Sequence, residues 1–201
     1  MAAQNRTATI LEAAKATFLT SGYRATSMDM VADRAGVTRR TIYNNFKSKE
    51  HLLEAVVDEV LVRLSARLPP LPAAAKRPAL LKFAEAPIEI MCWQGAIGMQ
   101  RLIVADGDTF PDLGARLIAE SDRIMEAPVT AWLRAQGYDA AGASSRARDW
   151  LNGLTAPARL DRLFGRRSAY AKDPGNNTID ARDRAAASEA VDALIHSVKA
   201  G

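Results

Sequence analysis

Apolar residues return every three or four positions along most of this chain, and runs alternating with period two are nearly absent. That spacing predicts helices and little strand. Ile10, Leu11, Ala14, Phe18 and Leu19 form one stripe, which predicts a first helix over about 5–21, with Gly22 placed to end it. Ser27 is a good N-cap for a short helix reaching Ala35, and Met28, Val31 and Ala32 face inward. Gly36 supplies a turn, Thr38 caps a third helix ending near Phe46, and Ile42 and Phe46 sit one turn apart on its buried side. Ser48 opens a long fourth helix whose stripe runs from Leu52 to Leu68, until Pro69-Pro70-Leu71-Pro72 stops it. The remainder reads as helices over about 76–93, 96–106, 110–136, 145–165 and 179–199. Pro87, Pro128 and Pro157 interrupt three of them, and loops fall at 137–144 and 166–177.

Composition strengthens the helical reading: alanine, leucine and arginine dominate, and 48% of the 201 residues are hydrophobic, enough for a sizeable core. Charge changes the picture more. Residues 1–50 hold eight Lys/Arg against four Asp/Glu; the totals are 27 and 23, which leaves 19 of each sign in residues 51–201. The whole surplus of +4 thus lies in the first quarter, as either a nucleic-acid surface or an ordinary solvated face. The single Cys92 excludes an internal disulfide. The N-terminal residues lack a signal-peptide apolar core and no apolar run is as long as a membrane span, so a cytoplasmic protein is expected. Asn176-Asn177-Thr178 matches a glycosylation sequon that is idle without secretion. His51 and His196 are the only histidines and fall in distant predicted helices, and there is no glycine-rich phosphate loop. Neither a metal, a cofactor nor an enzyme's catalytic constellation is expected.

The stretch 27–53, SMDMVADRAGVTRRTIYNNFKSKEHLL, is a short helix, a glycine turn and a second short helix opening on two arginines. That is the pattern of a helix-turn-helix, which lays its second helix in the DNA major groove. Phe18 to Tyr23, Ala25-Thr26-Ser27, Val31-Ala32, Ala35-Gly36-Val37-Thr38, Ile42-Tyr43, Phe46 and Ser48-Lys49-Glu50, Leu52-Leu53 together resemble the DNA-binding signature of the TetR family of transcriptional regulators. The resemblance covers about residues 5–55. Leu102 to Ala105 followed by Phe110-Pro111-Asp112-Leu113 is similar to a subgroup of the family's C-terminal domains. The position after Arg40, often Gly or Ala in the family, is Thr41 here.

The resemblance implies an all-α fold: an N-terminal three-helix DNA-binding domain over residues 1–50, a connecting helix over about 48–68, and a helical effector-binding and dimerisation domain over 51–201. It implies a ligand-responsive repressor that binds a palindromic operator as a homodimer. A regulator without effector and an all-α enzyme are the alternatives. Candidate DNA contacts are Thr26, Thr38, Arg39, Arg40, Thr41, Tyr43, Asn44 and Lys49. Each arginine either reads guanine or holds phosphate. Tyr43 resembles the family's phosphate-contacting tyrosine, with partial packing against the first helix as its alternative; Lys49, in the first turn of the fourth helix, is placed to hold a phosphate, and Thr26 and Thr38 either donate to phosphates or cap helices. A cavity for an apolar or aromatic effector is implied around Met91, Trp93, Met99, Gln100, Ile103, Phe110 and Trp132, residues that equally read as plain core. Trp150, Leu154, Val191, Leu194, Ile195 and Val198 are implied at the dimer interface, with packing inside one chain as the alternative.

Overall fold

The computed structural model describes residues 2–171 and 179–200. Among them the fold is all-α, with nine helices: α1 (Ala2–Ala25), α2 (Met28–Ala35), α3 (Arg39–Asn45), α4 (Lys49–Arg67), α5 (Arg77–Cys92), α6 (Gln94–Asp106), α7 (Pro111–Ala135), α8 (Ala140–Leu163) and α9 (Ala181–Ala200). The expected sequon and the second half of the expected loop at 166–177 lie outside the described residues.

Local signals account for the boundaries. Gly22 breaks α1 at φ 78°, leaving one more turn before Ala25. Ser27 caps α2 by accepting from the Met30 amide, and Thr38 caps α3 by accepting from the Thr41 amide. Between them Gly36 sits at φ 65°, ψ 33°, the left-handed conformation that a side chain would strain. Pro87, Pro128 and Pro157 lie within α5, α7 and α8. The start of α8 differs from expectation. It begins at Ala140 rather than 145, because Asp139 caps it through the Gly142 amide at 2.7 Å and Ala143 and Ala147 are both core. The small residues of 140–144 read as loop in the sequence but pack as helix.

The chain forms two compact units, Met1–Arg63 with Gly98–Leu117, and Leu64–Ile97 with Ile118–Gly201. The first takes in the expected lobe of residues 1–50 and adds 51–63 and 98–117. Its core draws Ile10 and Phe18 from α1, Val31 from α2, Ile42 from α3, Leu52 and Val56 from α4, Met99 and Leu102 from α6, and Leu113 from α7. Glu12 of α1 pairs with Arg63 of α4, and Asp58 of α4 with Arg116 of α7.

In the second unit α5 packs against both α8 and α9. Phe83, Ile88 and Cys92 meet a surface in which Leu151, Leu154 and Ala158 come from α8 and Ala187, Val191 and Leu194 from α9. Burial pushes the Cys92 thiol up to about 11, which leaves it protonated and inert at neutral pH. A buried ionic cluster ties the start of α9: Asp183 accepts from Arg162 at 2.7 Å, from Arg167 at 2.7 Å and from the Tyr170 hydroxyl at 2.5 Å. Tyr170 also pairs its backbone with the break between α5 and α6, donating to the Cys92 carbonyl and accepting from the Gln94 amide. No helix among the described residues is long and apolar enough to cross a membrane.

Candidate nucleic-acid interface

The first unit presents α3 as an exposed helix held from below. Ile42 is its one fully buried side chain, sealed into the core with Phe46 just beyond the helix end. Seven residues cannot hold a helix by propensity alone, so burial of Ile42 and the Thr38 cap fix it. The remaining side chains of α3 are then left at or near the surface: Arg39, Arg40, Tyr43, Asn44 and Asn45 are exposed, and Thr41 is half-buried.

Their partners differ. Arg39 forms an ion pair with Asp29 of α2, Nε to carboxylate oxygen 3.1 Å, and its guanidinium lies over the Tyr43 ring at 5.5 Å. Thr41 shares a hydroxyl contact of 2.9 Å with Thr38. Asn45 donates back to the Thr41 carbonyl at 2.7 Å. Arg40 and Asn44 have no side-chain partner among the described residues.

Two of the expected DNA contacts turn inward. Thr26 is buried and its hydroxyl donates to the Gly22 carbonyl at 2.7 Å. The Lys49 ammonium donates to the carbonyls of Tyr23 at 2.9 Å, Thr26 at 2.9 Å and Arg24 at 3.3 Å, and sits 4.4 Å from the centre of the Tyr23 ring. All three of its protons are spent. In this structure the groups of Thr26 and Lys49 that were expected to hold phosphate are engaged within the protein. A cation placed where the last carbonyls of α1 converge sits at the negative end of that helix.

Sequence reasoning passed over Tyr23 as a functional centre. It is buried between Phe18, with ring centres 5.9 Å apart, and Phe110, edge-on at 4.9 Å. Its hydroxyl donates to Glu50 at 2.6 Å. That bond, with help from Ser48, holds the Glu50 carboxyl down at about 2, while burial pushes the phenol well above its usual range. Tyr23 thereby joins the α1 corner, the start of α4 and the turn between α6 and α7. The signal available in sequence was the Gly22-Tyr23 pair after a helical stripe, but nothing local pointed to Phe110.

The effector candidates are divided. Met99, Gln100, Ile103 and Phe110 belong to the first unit, where Met99 and Ile103 are core and Phe110 packs on Tyr23. Met91, Trp93 and Trp132 belong to the second, and Trp132 donates to the Ala75 carbonyl. Of the dimer candidates, Leu154, Val191 and Leu194 are covered by their own chain, because their stripes face α5. Ile195 and Val198 are half-buried, and so is Trp150, whose indole donates to the Ala190 carbonyl. The large apolar side chains that α8 exposes are instead Leu160 and Phe164 just past its end, with Phe164 73% exposed.

Comparison with known proteins accords with this geometry. Residues 10–56 match the family model for bacterial regulatory proteins of the tetR family, and residues 78–143 match that for the AefR-like transcriptional repressor C-terminal domain. The chain belongs to the TetR family of transcriptional regulators. It is 43% identical over 58 residues to the HTH-type regulator YhgD of Bacillus subtilis, and 46% identical over 48 residues to the transcriptional activator FasR of Mycolicibacterium smegmatis. These matches span 29% and 24% of this chain and 30% and 22% of those proteins. Solved structures match along the length. A TetR-family regulator from Mesorhizobium loti gives a TM-score of 0.79 at 22% identity, covering 98% of each chain. The flavonoid-responsive regulator FrrA gives 0.72 at 24% identity, covering 97% of this chain and 95% of its own. At such identities these two speak for the fold, and the shared signature of residues 10–56 speaks for the TetR-type lobe.

Proposed function

We propose that this TetR-family regulator is a ligand-responsive repressor that binds a palindromic DNA operator as a homodimer in the cytoplasm. The observation that carries the DNA reading is α3: a short exposed helix bearing Arg39, Arg40, Tyr43 and Asn44, braced by α2 and the Gly36 turn, on the part of the chain that holds the whole basic surplus. One such lobe spans few base pairs, so a two-fold dimer reading two half-sites a helical turn apart follows from the geometry of the duplex. Leu160 and Phe164, exposed at the end of α8, and Ile195 and Val198, half-buried toward the end of α9, are the apolar material for the second copy. The match of residues 78–143 to a repressor C-terminal domain supports the sign.

An apolar or aromatic small molecule is the effector, a reading supported by the fold shared with the flavonoid-responsive FrrA and by the aromatic Trp93 and Trp132 of the second unit. Its binding shifts α4 and changes the separation of the two reading helices. Such coupling is a difference in effector affinity between two spacings, so operator DNA weakens effector binding by the same factor. The test is selection of bound fragments from the source genome with the purified protein, followed by release with a panel of flavonoids and other aromatic compounds. A palindrome with half-sites one turn apart, released by at least one aromatic compound, is expected. Failure to enrich any site, or undiminished binding by the Arg40→Ala/Tyr43→Ala double variant, overturns the DNA reading.

A further inference from the structure

The exposed side chains of α3 fall into two groups by what already holds them. Arg39 is engaged on both sides, by the Asp29 carboxylate at 3.1 Å and by the face of Tyr43 at 5.5 Å. The ion pair takes up Nε and holds the guanidinium over the Tyr43 ring, while the terminal amino groups keep their N–H donors for an anion. Tyr43 is exposed and offers its ring face to that guanidinium. Thr41 shares its hydroxyl contact with Thr38, and the Asn45 amide is committed to a helix carbonyl. Arg40 and Asn44 remain, both exposed and four residues apart. That spacing puts them one above the other on a single helix face, about 5–6 Å apart at Cβ. Base pairs stack about 3.4 Å apart, so two such side chains address base pairs one or two steps from each other.

Resting on the DNA-binding reading, we infer that Arg40 and Asn44 form the base-reading pair of α3, and that Arg39 with Tyr43, positioned by Asp29, forms a phosphate clamp that carries no sequence information. The chemistry of the pair sets the class of half-site. A guanidinium bonds O6 and N7 of guanine, and a carboxamide bonds N6 and N7 of adenine. Each half-site therefore carries a guanine and an adenine one or two base pairs apart, read in the major groove. Removing the side chain at 40 changes the preferred sequence if it reads a base, and weakens all sequences alike if it only holds a phosphate.

The test is selection from a randomised duplex library with the full-length protein and its Arg40→Ala, Asn44→Ala and Arg39→Ala variants, each then titrated over salt. Arg40→Ala is expected to lose the guanine preference at one position per half-site, a loss of discrimination of roughly 5- to 150-fold. Asn44→Ala is expected to lose the adenine preference one or two base pairs away. Arg39→Ala is expected to keep the motif while weakening all sequences alike, with the salt slope falling by about 1 for each lobe bound. Retention of the guanine preference by Arg40→Ala, or loss of a base preference in Arg39→Ala, overturns the assignment while leaving DNA binding standing. Absence of any motif with the unsubstituted protein removes the DNA-binding reading itself, and the assignment with it.

Discussion

Lys49→Met separates two roles for one cation. In the structure the ammonium closes the end of α1 by donating to three carbonyls, two at 2.9 Å and one at 3.3 Å, and it faces the Tyr23 ring at 4.4 Å. Methionine keeps most of the stem against that ring and removes only the charge and the donors. A hydrogen bond to a charged group contributes about 1.5–3 kcal/mol, but three that share one half-buried cation do not add, and water reaches the freed carbonyls. The cation–π contact contributes about 0.5–1 kcal/mol more. The expected loss is roughly 2–4 kcal/mol, which for a chain of this size lowers the melting temperature by about 5–12 °C. Thermal unfolding followed by far-UV circular dichroism measures it. A phosphate contact would behave differently, leaving the melting temperature within about 1 °C and lowering the salt slope of DNA binding by about 1. That second pattern would refute the capping role.

Three further outcomes are expected. Glu50 is held near 2 by the Tyr23 hydroxyl, below its ordinary 4.5, so its contribution is full above about pH 4.5 and is lost as pH falls toward 2. Urea midpoints of wild type and Tyr23→Phe should therefore differ most at neutral pH and converge in acid; a gap independent of pH would count against the bond. Asp183→Asn removes the carboxylate that accepts from Arg162, Arg167 and Tyr170, leaving Arg162 with Asp180 at 3.2 Å as its anion, and is expected to cost about 1.5–3 kcal/mol, read as a lowered unfolding midpoint, whereas a midpoint change under about 0.5 kcal/mol would contradict it. At Gly95 an added Cβ would collide with the Trp93 ring, so Gly95→Ala must displace the indole at a cost of about 1–3 kcal/mol and shift tryptophan emission; an unchanged spectrum would show that the ring is not seated there.

The reading lobe was legible in the sequence because its determinants are local. Ser27 and Thr38 act on amides three residues ahead, Gly36 meets a requirement of its own backbone, and the stripe of α1 lies within a few turns. The start of α8 was misplaced for a local reason too: Asp139 is a sound cap, but the alanines after it carry a weak hydrophobic signal, and only their burial shows them helical.

What each residue does in the lobe was less legible than where it lies. A sequence shows a lysine at the head of α4 and a basic surplus in residues 1–50, and both suit DNA; it does not show that the end of α1 folds back onto that lysine across 26 positions. Arg39 and Arg40 are adjacent and chemically identical, yet one lies beside Asp29 and Tyr43 and the other does not. The stripes of α8 and α9 announced burial but not the surface that buries them, and α5 supplied it.

The sequence by itself determined the helical class, the helix ends where a cap or a glycine stands, the basic first quarter and the family of its reading lobe. Periodicity, capping and composition act within a few residues and need no knowledge of distant partners. The tertiary structure decided which apolar stripes meet, which cations are spent inside the protein and which remain for a ligand. Those are contacts between segments far apart in the chain, and a side chain's solvation and charge partners exist only once the chain has closed on itself.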